Sequence, residues 1–491
     1  MLREFTGDLG KYLPSYIVPG IVGLVAIPVI TRLFPPEDYS DYALVMAGIS
    51  ILTGIGATWI AASVIRFFSA CQLDNRLGEF YGTTVKLALL SVGISSLVGL
   101  GVLFIAQNHI SSNLYFLMRI GLLVFIATSF YNVVLNILRA GRKVNWYSSF
   151  TIWHSVIGLG LGIMLVICFH CGVEGLLWGS LLSMVVAFPL AWKIAVGKPA
   201  FKEGSSRSSL ASEMTRYGLP LIIVNLASWV AMLSDRYVIG FFRGSAEVGI
   251  YSAAYAIPQG SIFVIASLFS LPAMPIGVGI WEAHGVGKSQ EFLAKLTRYY
   301  LLVGLPAAVG LSVLSKPIMH VFTAPAYFLG YSVISLVAFS GFFAGVSTIF
   351  GMALQYYKRT NLIMYCNIIC AGLNLGLNFW LIPQYGFIAA AATTLIAFTA
   401  DLIMKIIISR HFLTWQFPFQ SLGRVVAASA VMGTVVYFVG NSLTASNLVN
   451  LIVGISAGIL IYLVMLLLLR EPQPEEIAEV RSWATRIFRR G

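Results

Sequence analysis

The chain has 491 residues, of which 58% are hydrophobic and only 10% charged, with a mean hydropathy of +0.87. A soluble chain of this length carries about 25% charged residues, so the composition excludes a water-soluble enzyme or binding domain. The net charge of +12 is spread over short connections between apolar runs, which is a topology signal and not a nucleic-acid surface.

Apolar runs of about twenty residues recur along the chain, the length that crosses a hydrocarbon core as a helix. They predict an all-α polytopic membrane protein with about fourteen spans, at 12–33, 42–66, 81–106, 114–138, 147–169, 173–196, 217–241, 247–272, 296–315, 328–354, 362–382, 386–409, 421–441 and 447–469. No basic n-region, short apolar core and small-residue cleavage site open the chain, so the first span is expected to act as the targeting signal. With the N-terminus inside, only Arg32, Arg119, Arg236, Arg243 and Lys316 of the 31 lysines and arginines fall on the outer half. So lopsided a division predicts cytoplasmic termini on both ends of the chain.

The first outer turn, "TRLFPPEDYSDYAL" at 31–44, has a counterpart in "FFRGSAEVGIYSAA" at 241–254. Asp38 and Tyr42 align with Glu247 and Tyr251 at an offset of 209; "RKVN" at 142–145 matches "KRTN" at 358–361, and "CGVEGLLWG" at 171–179 matches "YGFIAAAAT" at 385–393. Ordered similarities at nearly constant offset predict an internal repeat. Six spans per copy give both copies the same orientation, related by an axis along the membrane normal. The expected organisation is an N-lobe at 1–196, a polar, Ser-rich cytoplasmic linker at 197–216, a C-lobe at 217–410, two further spans within 421–469 and a cytoplasmic tail at 470–491. In the tail, Ile477, Val480, Trp483 and Ile487 share a helical face largely apart from Arg481, Arg486, Arg489 and Arg490, which suits an interfacial helix.

The longest polar connections, 197–216 and 273–295, hold no paired carboxylates, no nucleophile with its base and no Gly-rich phosphate loop. Catalysis is not expected. Cys168, His170 and Cys171 supply three ligands where a structural zinc site needs four, so no metal site is expected either.

Polar residues inside spans are costly in lipid and should face protein. Asn225, Trp229 and Arg236 share one face of the seventh span, Asn374 and Asn378 one face of the eleventh, and Asn132 and Asn136 one face of the fourth. Amides, an aromatic face and a guanidinium suit a hydroxylated, anionic ligand; interhelical hydrogen bonding is the other use of such stripes. Arg119 in the outer third of the fourth span is a further candidate. Arg66, near an inner end, is expected at a cationic entrance or snorkelling to the interface, as Lys86 is. Asp235 and Asp401 are the candidate carriers of a coupling proton or sodium ion, no other cofactor being expected. Asp235 adjoins Arg236 but points about 100° away from it. His154 is read as a packing residue.

"TRLFPPEDYSDYAL", "SDRYVIGFFRGSAEVGIYSAAYAI" at 234–257 and "LIPQYGFIAAAATTLIAF" at 381–398 resemble the polysaccharide transporter family of the multidrug/oligosaccharidyl-lipid/polysaccharide flippase superfamily. Ala389 stands where relatives commonly have glycine. The resemblance covers nearly the whole chain. It implies two six-helix lobes around a central cavity, with two extra C-terminal spans, and alternating access. The implied substrate is an undecaprenyl-pyrophosphate-linked glycan, such as an O-antigen or exopolysaccharide repeat unit, moved from the inner to the outer leaflet of a bacterial cytoplasmic membrane. Implied partners are membrane lipid, a polysaccharide polymerase and a chain-length regulator. A monomer is sufficient, because both lobes lie in one chain. Two other readings are a cation-coupled exporter of small amphipathic molecules and a membrane glycan enzyme. The intramembrane arginines favour an anionic substrate over the first, and the lack of a large outer loop weighs against the second.

Overall fold

The structure, a computed structural model, describes residues 13–197, 208–442 and 446–472. The interfacial tail helix expected beyond 472 and residues 198–207 of the linker lie outside them. Among the described residues every regular element is helical. In chain order these are α1 Pro14–Leu33, α2 Pro36–Gly56, α3 Thr58–Leu73, α4 Leu77–Ala106, α5 Ser112–Ala140, α6 Val144–Cys168, α7 Glu174–Val196 and α8 Ser208–Arg243. There follow α9 Ser245–Val313, α10 Ser315–Phe322, a 3₁₀ turn at Pro325–Gly330, α11 Tyr331–Tyr356, α12 Thr360–Tyr385, α13 Phe387–Ser409, α14 Phe419–Ser442 and α15 Asn447–Leu468. In lipid only a helix satisfies its own backbone donors and acceptors, and the pauses between apolar runs set its ends. At the first pause Pro35 is the N-cap of α2 and Pro36 opens it, with Glu37 and Asp38 in the first turn. Proline at that position loses no helical hydrogen bond, and the acids face the positive end of the helix dipole.

Twelve of these helices are long and apolar enough to span a membrane, and the bent pair α2–α3 makes a thirteenth, with a 41° bend. Helix α9 runs 69 residues, about 100 Å at 1.5 Å per residue, against about 30 Å for one crossing. It is therefore long enough for two crossings, which brings the count near the expected number of about fourteen. The expected polar loop at 273–295 is corrected here: the segment is helical, broken only at Gly285, whose φ of 71° is a left-handed value that glycine adopts without strain. The linker is also shorter than expected, since residues 208–216 already belong to α8.

The chain forms two compact units. Unit 1 comprises residues 1–260 and 364–397; unit 2 comprises 261–363 and 398–491. Within unit 1, α5 packs on α2, α3, α4 and α7. Helix α8 lies along α2 and α3 on one side, and meets α12 and α13 through Ala227, Ala231, Cys370, Ala371 and Ala397 on another. Small residues allow such close approach between spans, where no hydrophobic effect drives helices together. In unit 2 the core gathers on Tyr300, which stacks on Phe342 at 5.8 Å between ring centres. Its C-terminal pair, α14 and α15, is pinned where Glu471 leaves α15. Arg298 Nε donates to Glu471 Oε1 at 2.9 Å and Arg424 Nη1 to Oε2 at 3.2 Å.

Candidate functional site

Helix α8 carries four of the sequence-predicted residues, Asn225, Trp229, Asp235 and Arg236. It meets α2–α3 along a continuous seam in unit 1. At one end of the seam Ser63 Oγ donates to the Met214 carbonyl at 3.1 Å, and Phe67 meets Tyr217 edge to face. In the middle, a Cβ built on Gly54 would stand 3.7 Å from the Asn225 Cβ, and Trp229 Nε1 donates to the Ala47 carbonyl at 2.9 Å. Towards the other end the Tyr237 hydroxyl donates to the Leu44 carbonyl at 2.8 Å. Beyond it Gly249 lies so close to Pro36 that any Cβ would collide with the Pro36 backbone. The two stretches that the repeat aligned, 31–44 and 241–254, thus meet at one end of the molecule's first unit. Glu247 continues the closure by accepting from Arg243 Nε at 2.9 Å and from the Phe387 backbone N–H at 3.0 Å.

Arg236 and Asp235 form a buried pair, 5% and 1% exposed. The sequence expectation of divergent side chains is corrected: Arg236 Nη1 lies 3.1 Å from Asp235 Oδ1. The arginine is long enough to fold back, and the carboxylate turns along the helix to accept the Arg236 backbone N–H at 2.8 Å. Tyr251 donates its hydroxyl to the other carboxylate oxygen. The guanidinium also donates to the Met232 carbonyl at 2.9 Å. It lies over the rings of Tyr255 at 4.7 Å and Tyr251 at 5.7 Å, within cation–π range. Both carboxylate oxygens of Asp235 thus have a partner within unit 1.

A second cluster joins α12 to α13. Asn378 Nδ2 donates to Asn374 Oδ1 at 3.0 Å, Asn374 Nδ2 to Thr394 Oγ1 at 3.4 Å, and the Thr393 hydroxyl to Asn378 Oδ1. Both asparagines are at most 1% exposed. Asn132 and Asn136 on α5 are half-buried and bond within their helix, Asn136 Nδ2 to the Asn132 carbonyl at 2.8 Å. Arg119 and Arg66 are exposed, Arg66 lying 5.9 Å from the Phe67 ring centre. His154 bonds Ser183 Oγ through Nδ1 at 2.9 Å. In unit 2, Asp401 Oδ2 accepts from Lys405 Nζ at 2.8 Å and Ser347 Oγ at 2.5 Å, while its Oδ1 is buried without a hydrogen bond.

Sequence reasoning missed the partners more than the charges. Tyr251 and Tyr255 stand four apart in "YSAAY", one helical turn, and Thr393–Thr394 lie inside the quoted 381–398 stretch. Both pairs were visible as helix-face residues. What was invisible was which helix they would face.

Residues 11–276, more than half of the chain, match the polysaccharide biosynthesis protein family, and residues 220–380 match the MatE family. The chain is 24% identical over 341 residues to the probable low-salt glycan biosynthesis flippase Agl15 of Haloferax volcanii, covering 68% of this chain and 70% of that one. It is 23% identical over 365 residues to the probable flippase AglR of the same organism, covering 73% and 75%. Among solved structures it shares its fold with the lipid II flippase MurJ in an inward closed conformation, at a TM-score of 0.74 and 16% identity over 93% of this chain and 98% of that one. An inward-facing multidrug resistance MATE family transporter aligns at a TM-score of 0.66 and 14% identity, over 82% and 94%. With the fold, the paired repeat turns and this match in hand, the chain belongs to the polysaccharide biosynthesis protein family.

Proposed function

We propose that the protein is a flippase for a lipid-linked glycan carried on a pyrophosphate, of the undecaprenyl type, moved from the inner to the outer leaflet by alternating access. The observation that carries this reading is the seam between α2–α3 and α8, which brings the two repeats together in unit 1. It is built largely from single hydrogen bonds to backbone carbonyls and from small-residue contacts. Each such bond between membrane helices is worth only about 0.6 kcal/mol, so the seam can part at modest cost and re-form. Two relatives matched over more than two thirds of the chain are themselves named as probable flippases, which supports the substrate class. Asp235 and Asp401 remain the candidate carriers of a coupling H+ or Na+. Asp401 has one buried oxygen without a protein partner, whereas Asp235 would have to leave Arg236 or Tyr251 to take up an ion. On this reading both termini are cytoplasmic, a monomer suffices, and a polymerase would consume the flipped product.

The MatE match over 220–380 and the MATE neighbours favour the alternative, a cation-coupled exporter of small amphipathic molecules. Reconstitution separates the two. Proteoliposomes holding a fluorescent lipid-linked oligosaccharide should lose inner-leaflet label to an outer-leaflet quencher only when the protein is present. Transport of a cationic dye under an ion gradient, with no movement of the lipid-linked glycan, would replace the flippase reading by the exporter.

A further inference from the structure

Unit 1 carries an apolar groove that plays no part in the seam. One cavity of about 250 Å³ is walled by α4, α5 and α7, with Thr84, Val85, Val133, Ile137, Phe188 and Trp192 among its lining. A second, of about 410 Å³, lies along α4 and shares Val85, adding Lys86, Leu89 and Leu90. The two adjoin at Val85. Leu89 and Leu90 are more than half exposed, so the second opens on the lipid-facing side of α4. Phe188 and Trp192 stack at 6.1 Å to form a flat wall on α7.

Two features say what fits there. Each wall helix carries a cation beside its lining residues: Lys86 next to Val85, Arg139 two residues after Ile137, and Lys193 directly after Trp192. None of the three forms a salt bridge with another described residue. Lys143, in the turn between α5 and α6, donates from Nζ to the Ile194 carbonyl near the end of α7 at 2.6 Å, which holds the α5 and α7 ends bearing Arg139 and Lys193 close to each other. The lining itself is apolar apart from Thr84 and Lys86. An apolar slot open to lipid and flanked by cations matches an acyl chain beneath an anionic headgroup.

We infer that this groove is a binding site for an anionic phospholipid, with one acyl chain between α4 and α7 and its phosphate at Lys86. A cation near the membrane surface attracts an anionic lipid by about 1 kcal/mol, about fivefold in affinity. Native mass spectrometry of the purified full chain, titrated with phosphatidylglycerol and chain-matched phosphatidylcholine, tests this. Phosphatidylglycerol should be retained at least about fivefold more strongly. Lys86→Gln should remove most of that preference and leave phosphatidylcholine unchanged; Val85→Trp, which fills the groove, should lower retention of both. Equal retention of the two lipids by the wild type overturns the inference. So does wild-type retention by both variants, or displacement by soluble glycerol phosphate at equal concentration, which would mark a phosphate site with no place for the chain. A phosphatidylglycerol with a diazirine on its tail gives a readout independent of any variant. It should label peptides containing 82–90 or 188–192, and labelling confined to other segments rejects the site.

Discussion

Gly249 and the Asp235–Arg236 pair show how single residues shape the first unit. A methyl at 249 would strike the Pro36 backbone, an obstacle no rotamer relieves. Gly249→Ala should therefore force apart the turns at 31–44 and 241–254. Accessibility of cysteines placed at Glu37 and at Glu247 to a membrane-impermeant maleimide should rise in a Gly249→Ala background; unchanged labelling would mean the two turns do not meet there. The ion pair makes a different prediction. Removing one partner of a buried pair leaves an uncompensated charge and costs about 3–5 kcal/mol, while replacing both by apolar residues is often close to neutral. Arg236→Met and Asp235→Leu should each lower the melting temperature sharply, and the double variant should recover most of the loss. A double variant no more stable than the sum of the singles would show that the two charges are not one unit. If the stable double variant no longer flips substrate, the pair has a role beyond packing. Spacing along α8 exposed both residues as unusual, yet their contact was not legible. The 100° rule describes where Cβ atoms point, and an arginine side chain reaches well past its Cβ direction. The enclosing tyrosines arrive from α9, a contact that no periodicity within α8 encodes.

Among the elements, α9 departs furthest from what the sequence suggested. Its middle carries Glu282, His284, Lys288, Glu291 and Lys295, all exposed, and so much polarity between two apolar runs reads as a loop. The helix persists because Leu293, Tyr300 and the half-buried Trp281 pack into the core of unit 2. Hydrophobic residues at helical spacing were present, but partly masked by the charged face. The same helix supplies Arg298 to the clamp on Glu471, 173 residues away. That clamp has a pH signature. Burial pushes the Glu471 carboxyl upward, but hydrogen bonds from Ser421, Arg298 and Arg424 outweigh it and hold the group below its usual value. A carboxyl depressed on folding contributes stability that is fully present above its ordinary value, about 4.3, and is lost as pH falls through the lower folded value. At pH 7, Glu471→Gln should therefore melt below the wild type, and the gap should close as pH falls below about 4. A gap independent of pH would mean the carboxylate charge contributes nothing to holding α14 and α15.

For the whole molecule, the all-helical fold of a dozen or more spans was legible because lipid enforces helix length. The seam was not, since it depends on which face of α8 meets α2, and stripes of asparagine fit either a cavity or a helix contact. On the proposed alternating-access mechanism that seam opens in every cycle, and its geometry allows a direct test. The Cβ separation of 3.7 Å between positions 54 and 225 falls within the 3.5–4.5 Å range of a disulfide. Gly54→Cys with Asn225→Cys, in a chain whose five native cysteines are replaced, should cross-link under a mild oxidant. In proteoliposomes the oxidised double variant should lose nearly all flipping of the fluorescent lipid-linked oligosaccharide, and a membrane-permeant reductant should restore it. Each single variant should keep its activity under oxidant, which separates the lock from any loss of the Asn225 amide. Full cross-linking with undiminished transport would place the moving interface elsewhere and leave the α2–α8 seam a fixed structural contact.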